Sequence, residues 1–423
     1  DRLNTIQQTT DGRYILGAYS LSGISGDPTE NSISWDYWIV KTDSTGIIEW
    51  ENTIGGDSVD YLYSIRQTAD GGYILGGSSN SAISGDKTEN SLGADYWIVK
   101  TDPMGQIQWQ NSIGGNSNED FRIINQTSDG GYILGGYSTS SISGDKTENS
   151  FGGYDYWIVK TDANGNIQWQ NTIGGSSQDY LYSIQQTTDG GFILGGTSNS
   201  TISGDKTENN KGLYDFWIVK TDSIGNIQWQ KTIGGNDWDR LFSIQQTVDE
   251  GFILGGFSGS NISGDKTENC LGWEDYWIVK TDSIGSIQWQ NTLGGEWTDY
   301  LRSVKQTNDG GFILGGYSES DLGIDKKEIN QGFVDFWIIK ILDRYNLILG
   351  NLFADLNSNG IQDNNEPALS GQKIIDQTTG RFTFTDQNGF YSLTVLDSGT
   401  YTVAPQPLLW YSPIPGTQAA SFT

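Results

Sequence analysis

The feature that most narrows what this chain can fold into is an eight-residue string, Asp-Tyr-Trp-Ile-Val-Lys-Thr-Asp, present six times with small changes. Copies start at Asp36, Asp95, Asp155, Asp215, Asp275 and Asp335, so the spacing is 59 residues once and 60 four times. A fixed period of that size marks a repeat architecture. Within the string the side chains alternate as on a strand, with Tyr96, Ile98 and Lys100 on one face and Trp97, Val99 and Thr101 on the other. Both faces are largely apolar, as in a strand packed between two layers.

One period holds four strand candidates. The first is Leu62 to Thr68, followed by the hairpin signal Asp70-Gly71-Gly72. The second is Tyr73 to Ser78, followed by a long loop through Ile83 to Asn90. The third is the recurring string, and its turn Asp102-Pro103-Met104-Gly105 has the Asp and Gly of a type I turn. The fourth is Ile107 to Ile113. Four short antiparallel strands per unit, repeated around a ring, describe a β-propeller blade. A solenoid would need shorter, parallel coils, which the hairpin turns oppose. The expected fold is therefore all-β, a six-bladed propeller over residues 1–345 followed by a small β-sandwich over 346–423. The second recurring string, Asp-Gly-Gly-Phe/Tyr-Ile-Leu-Gly-Gly, supplies glycines where strands would crowd near an axis.

Blade number is the open point. Five fourth strands carry a Trp, at Trp50, Trp109, Trp169, Trp229 and Trp289. A sixth would be Asn346-Leu347-Ile348-Leu349, without one; six blades is the expectation and seven the alternative. The opening Asp1-Arg2-Leu3 matches Asp60-Tyr61-Leu62, so the chain is expected to be processed or partial, and it shows no signal peptide.

The hairpin Lys-Thr-Asp-x-x-Gly-x-Ile-x-Trp resembles the blade hairpin of quinoprotein-like propellers. The whole period resembles propeller repeats of large secreted proteins from Bacteroidetes-type bacteria. That resemblance implies a fold and an extracellular or cell-surface setting, with export by a type IX system. On activity it is nearly silent, since propellers host many functions.

After Gly350 the pattern changes. Asp355 to Glu366 fits the twelve-position calcium loop without a mismatch. Hard cations take about six to eight oxygens, and the spacing offers Asp355, Asn357 and Asn359 side chains, the Ile361 carbonyl, Asp363 and Glu366. Gly360 permits the bend. Flanking segments read as strands, not helices, so this is no EF-hand pair. Residues 347–404 resemble the calcium-binding B-type repeat of Gram-positive surface adhesins, a prealbumin-like sandwich, which implies Ca²⁺ as the cofactor and a rigid spacer role.

Charge and chemistry exclude several classes. Lys and Arg number 24 against 52 Asp and Glu, a net charge of −28, which leaves few cations to replace counterions on nucleic acid. There is no His, so His-based triads are ruled out, and the one Cys, Cys270, reads as a neutral replacement. No apolar run approaches the roughly 18 residues of a membrane-spanning helix. The acids recur in every copy at turn positions, which argues for structural work over catalysis. In the loop Ser-Gly-Asp-Lys-Thr-Glu-Asn, Asp and Asn are expected to tie down backbone, with Lys and Glu solvated; a ring of cation contacts is the alternative. Trp35, Trp238, Trp273 and Trp297 stand where other copies have small or polar residues, and are candidates for stacking on sugars or partners. The function expected is a non-catalytic structural or adhesion protein, part of a long adhesin or appendage. Its partners would be surface proteins, cell-surface glycans or further copies through neighbouring modules. A carbohydrate-binding or glycan-degrading propeller is the alternative.

Overall fold

The computed structural model describes the chain apart from residues 25–31, 343–345, 358, 360, 361, 364, 378–381, 396–399, 406–417 and 422–423. It divides into two units, Asp1–Ile341 and Leu342–Thr423.

The first unit is all-β. Among the described residues each repeat forms one antiparallel meander sheet, five with four strands and the sixth with three, Asp299–Gln306, Phe312–Ser318 and Asp335–Ile341. In the second sheet the strands are Asp60–Gln67, Tyr73–Ser79, Asp95–Thr101 and Ile107–Ile113. The hairpins form for local reasons. Asp102 accepts N–H bonds from Met104 and Gln106 at 2.8 and 2.9 Å, and Gly105 takes φ +81°, a conformation glycine adopts without strain.

Successive sheets pack face to face in chain order. Ile74, Tyr96, Ile98 and Ile113 of the second sheet share one core with Phe121, Ile124, Tyr132, Leu134, Trp157 and Val159 of the third. The same arrangement recurs at the other four junctions. At each junction the aromatic after the Asp lies on the next sheet's Trp, as Tyr96 does on Trp157 with centroids 4.9 Å apart. Its hydroxyl donates to that Trp's carbonyl oxygen at 3.2 Å. The paired glycines make room for this approach. A Cβ on Gly77 would stand 2.0 Å from the Tyr61 carbonyl oxygen and 2.5 Å from the Tyr37 hydroxyl.

Among the described residues, two sheet faces have no such neighbour. Phe336, the sixth-sheet counterpart of Tyr96, is 91% exposed and Ile338 is 69% exposed. On the first sheet Leu3 and Ile6 are 54% and 57% exposed. Among the described residues no buried core joins the sixth sheet to the first.

The first strand of every sheet carries a β-bulge at the same place, between Leu62 and Ser64 in the second sheet. The extra residue is Asn4, Tyr63, Arg122, Tyr182, Phe242 or Arg302, by sheet. A bulge re-aims one side chain out of the alternating pattern.

The second unit is a two-sheet sandwich. Asn346–Asn351 pairs with Phe390–Val395. The other sheet runs Phe382–Phe384, Lys373–Asp376, Thr400–Pro405, Gln418–Ser421. Ile348, Ile374, Tyr391, Leu393 and Val403 fill the space between them. The segment weighed as a closing blade strand, Asn346 to Leu349, therefore belongs to this sandwich. Its Leu-x-Leu alternation lacks the Trp that anchors fourth strands, and Ile348 is buried here instead.

Candidate functional site

The acidic loop of the second unit gathers its side chains on one turn. Asn357 and Asn359 donate amide N–H bonds to Asp363 Oδ2 at 2.6 and 3.0 Å. Glu366 accepts the backbone N–H groups of Leu356 and Asp363 at 2.8 and 3.0 Å. The Asn359 N–H reaches Asp355 Oδ1 at 3.2 Å and Asn357 Oδ1 at 3.0 Å. Five of the six expected ligands thus share one turn, and Ile361 lies outside the described residues. The donors are all hard oxygens, the type that calcium takes. Among the described residues no three acidic side chains cluster closely enough to hold an ion by themselves. The amide oxygens of Asn357 and Asn359 would have to complete the set.

In the repeated loop, Asp86 accepts the Gly55 N–H at 3.1 Å and Asn90 accepts the Ile83 N–H at 2.9 Å, as expected. The lysine behaves otherwise. Lys87 is buried, with its ammonium 4.9 Å from the Trp97 ring and donating to Ser112. Lys146, Lys206 and Lys266 repeat the arrangement. Coulomb attraction to buried Asp60 and Asp95 compensates part of the desolvation that pulls the Lys87 ammonium down to about 8. The loop variant at Asp27 to Glu30 lies outside the described residues.

Two acids also meet at each junction. Asp36 and Asp60 are both buried, each with an Oδ1 that has no hydrogen-bond partner; Asp155 and Asp179, Asp215 and Asp239, and Asp275 and Asp299 repeat this. Burial, helped by Asp179, pushes Asp155 up to about 7. A raised carboxyl in a cleft would suggest an acid catalyst, but these acids are buried and the pair recurs at junction after junction. Cys270 donates to the Ser258 carbonyl, as Ser150 does to Ser138 and Asn210 to Ser198, so it fills a hydrogen-bonding position.

The repeats diverge at one place in space. Around the bulge, flanking residues stay Leu/Phe, Ser/Thr/Ile and Ile/Val while the bulged residue changes from copy to copy. The Arg122 guanidinium lies 5.3, 5.0 and 5.5 Å from the rings of Tyr63, Tyr137 and Tyr182. Tyr182 touches Phe242 at 4.8 Å, and Arg302 lies 4.2 Å from the Phe242 ring. Phe257 and Tyr300, 4.4 Å apart, extend the belt. Beside it Tyr180, Tyr214 and Trp238 form a stacked run, with Arg240 4.5 Å from the Trp238 ring.

Of the four Trp candidates, Trp238 is thus part of this belt. Trp35 packs edge-on against Tyr19 at 5.5 Å. Trp273 and Trp297 stand out into solvent, 74% and 53% exposed. Arg122, Arg240, Arg302 and Tyr182 escaped sequence reasoning because each occupies an ordinary strand position. Position-by-position variability across the repeats, the signal that singled out Trp238, would have found them.

Fold and site together define a two-part chain, an array of antiparallel sheet repeats and a small sandwich with an Asp/Asn-rich loop. Residues 348–413 of this chain match the SdrD B-like domain family. Colossin-A of Dictyostelium discoideum is 27% identical over 394 residues, covering 87% of this chain and 3% of that protein. Serine-aspartate repeat-containing protein E of Staphylococcus aureus (strain MSSA476) is 29% identical over 249 residues, 54% of this chain and 21% of that protein. The chain therefore spans a small part of the length of either relative. Among solved structures, Kuenenia stuttgartiensis hydrazine synthase aligns with TM-score 0.44 at 11% identity over 72% of this chain and 78% of that one. Sqt1 from Chaetomium thermophilum aligns with TM-score 0.39 at 11% identity over 94% and 96%.

Proposed function

We propose that this is a non-catalytic structural and adhesion protein of the cell surface or extracellular space. The repeat array offers the interaction platform, and calcium stiffens the C-terminal sandwich as a stalk. The observation that carries this reading is the SdrD B-like match over residues 348–413, joined to a repeat array whose acids do structural work. Asp36-type and Asp60-type acids are buried at junctions, and Asp102-type acids hold turns. That distribution supports a scaffold over a glycan-degrading enzyme. Sheets that meet through their first and second strands, one after another, support reading the array as propeller blades.

The test is calcium dependence in the whole chain. Calcium at about 100 times its Kd would stabilise the sandwich by about 2.7 kcal/mol. For a domain of this size that is roughly 10–20 °C in melting temperature. Calorimetry with calcium and then with a chelator should show the sandwich transition fall, and Asp355→Ala with Glu366→Gln should abolish the difference. A sandwich transition indifferent to calcium would remove the metal.

A further inference from the structure

In a chain this acidic the arginines are few, eight in all, and five of them sit on first strands: Arg2, Arg66, Arg122, Arg240 and Arg302. First strands are also where neighbouring sheets approach each other. The Gln67 N–H donates to Gln7 at 2.8 Å and the Asn125 amide donates to the Ile184 carbonyl at 2.8 Å. The six first strands together carry six cationic and six acidic residues, so their formal charge is zero where that of the whole molecule is −28.

The arginines are also presented in an unusual way. None of Arg122, Arg240 and Arg302 forms an ion pair with a carboxylate among the described residues. Each instead lies near aromatic rings, which engage the guanidinium and leave N–H donors at its edge. Arg122 Nε is buried without a hydrogen-bond partner, while its Nη2 donates to the Tyr137 hydroxyl. Arg302 gives one N–H to the Tyr317 hydroxyl at 3.0 Å. The three arginines converge: the Tyr182 phenol, pushed up by burial, is pulled back by Arg122, Arg240 and Arg302 together. Acids near the belt include Asp120, which feels the Arg122 charge, Glu274, which accepts the Tyr300 hydroxyl at 2.5 Å, and Glu319, whose charge also acts on Tyr300.

If packing alone set these positions, the repeats would have kept one solution, as they did for Trp97, Trp157, Trp217 and Trp277. Instead the bulged residue alternates between aromatic and Arg from the second sheet to the sixth with one aromatic doubled, Tyr63, Arg122, Tyr182, Phe242, Arg302. Rings beside guanidiniums that have no carboxylate ion pair among the described residues match a ligand with flat apolar faces and fixed negative charge. A saccharide whose rings bear carboxylate or sulfate has both.

We propose that the belt of Arg122, Tyr182, Trp238, Arg240, Phe242 and Arg302 is a binding site for an acidic oligosaccharide. This rests on reading the array as an interaction platform and names what it takes. Arg240 and Arg302 meet the anionic groups, and Trp238 and Phe242 stack on sugar rings.

The test is titration calorimetry on the whole chain with trigalacturonic acid, a sulfated galactose trisaccharide, and neutral maltotriose. Binding of either acidic sugar, at least tenfold tighter than maltotriose and weakened by salt, is expected. The carboxylate and sulfate arms show which anion the site takes. Arg240→Gln and Trp238→Ala should each weaken binding at least tenfold with unchanged circular dichroism. Arg302→Gln, at the exposed end, guards against a fold defect in the other two. No binding of either acidic sugar, equal binding of the neutral one, or indifference to all three variants would overturn the site. None of those results would touch the calcium dependence of the sandwich, so the two readings fail separately.

Discussion

Phe216 and Phe336 occupy the same place in the same Asp-Phe-Trp-Ile context, yet their environments are opposite. Phe216 is fully buried, its ring 4.8 Å from that of Trp277 in the next sheet. Phe336 is 91% exposed, with no further sheet packed on it among the described residues. Truncating a buried Phe to Ala costs about 3–5 kcal/mol, of which the aromatic pair supplies about 0.5–1.5. Phe336→Ala removes almost no buried surface and should change stability by less than about 0.5 kcal/mol. Arrays of this kind need not unfold in one step, so hydrogen exchange resolved by peptide is the assay. Amides of Asp215–Thr221 and Asp275–Thr281 in Phe216→Ala should exchange roughly a hundred to a few thousand times faster, at tenfold per 1.4 kcal/mol. Those of Asp335–Ile341 in Phe336→Ala should match the wild type. Equal losses at the two sites would refute the bare sixth-sheet face and mean that something covers it, whether the first sheet of the same chain or another copy.

The same contrast extends to glycine. A Cβ on Gly195 would meet Leu241 at 2.8 Å and Ile244 at 2.9 Å, whereas one on Gly315 meets nothing within 4 Å. Gly195→Ala should therefore destabilise by about 1–3 kcal/mol and Gly315→Ala should not; equal melting temperatures would contradict the packing. The pH response should be inverted from the usual one near neutrality. Burial raises Asp36, Asp215, Asp239 and Asp275 to about 6 and Asp155 to about 7. Folded values above the unfolded one mean that the native state holds extra protons, so stability is fullest near pH 4 and declines as pH rises through 6 to 7. Asp129 and Asp189, held near 2 against burial by their hydroxyl, lysine and backbone partners, act oppositely and lose their contribution below pH 4. Tryptophan-monitored melting temperatures at high salt, which screens the general repulsion, should peak between pH 4 and 5. Asp155→Asn should flatten the decline above pH 5, and a wild-type profile still rising to pH 8 would sink the argument.

The period, the strands and the hairpin turns were legible in the chain itself. Asp102 and Gly105 fold their turn through bonds four residues apart at most, and alternation along Tyr96 to Thr101 needs only the two-residue period of a strand. Hydrogen bonds from Asp355 to Glu366 likewise stay within one turn, which is why the twelve-position spacing can be read from the chain. Three things depended on the folded molecule. Lys87 reads as solvated in a polar loop, but the Trp97 ring and Ser112 that receive it come from the next two strands. Asn346 to Leu349 could pair with either unit, and only the partner strand Phe390–Val395 decides between them. The arginine–aromatic belt exists because a bulge turns one residue per sheet toward its counterparts in neighbouring sheets, residues roughly sixty positions away. Local chemistry sets the elements; which side chains meet between sheets is settled by packing, and no pattern inside a single repeat encodes it.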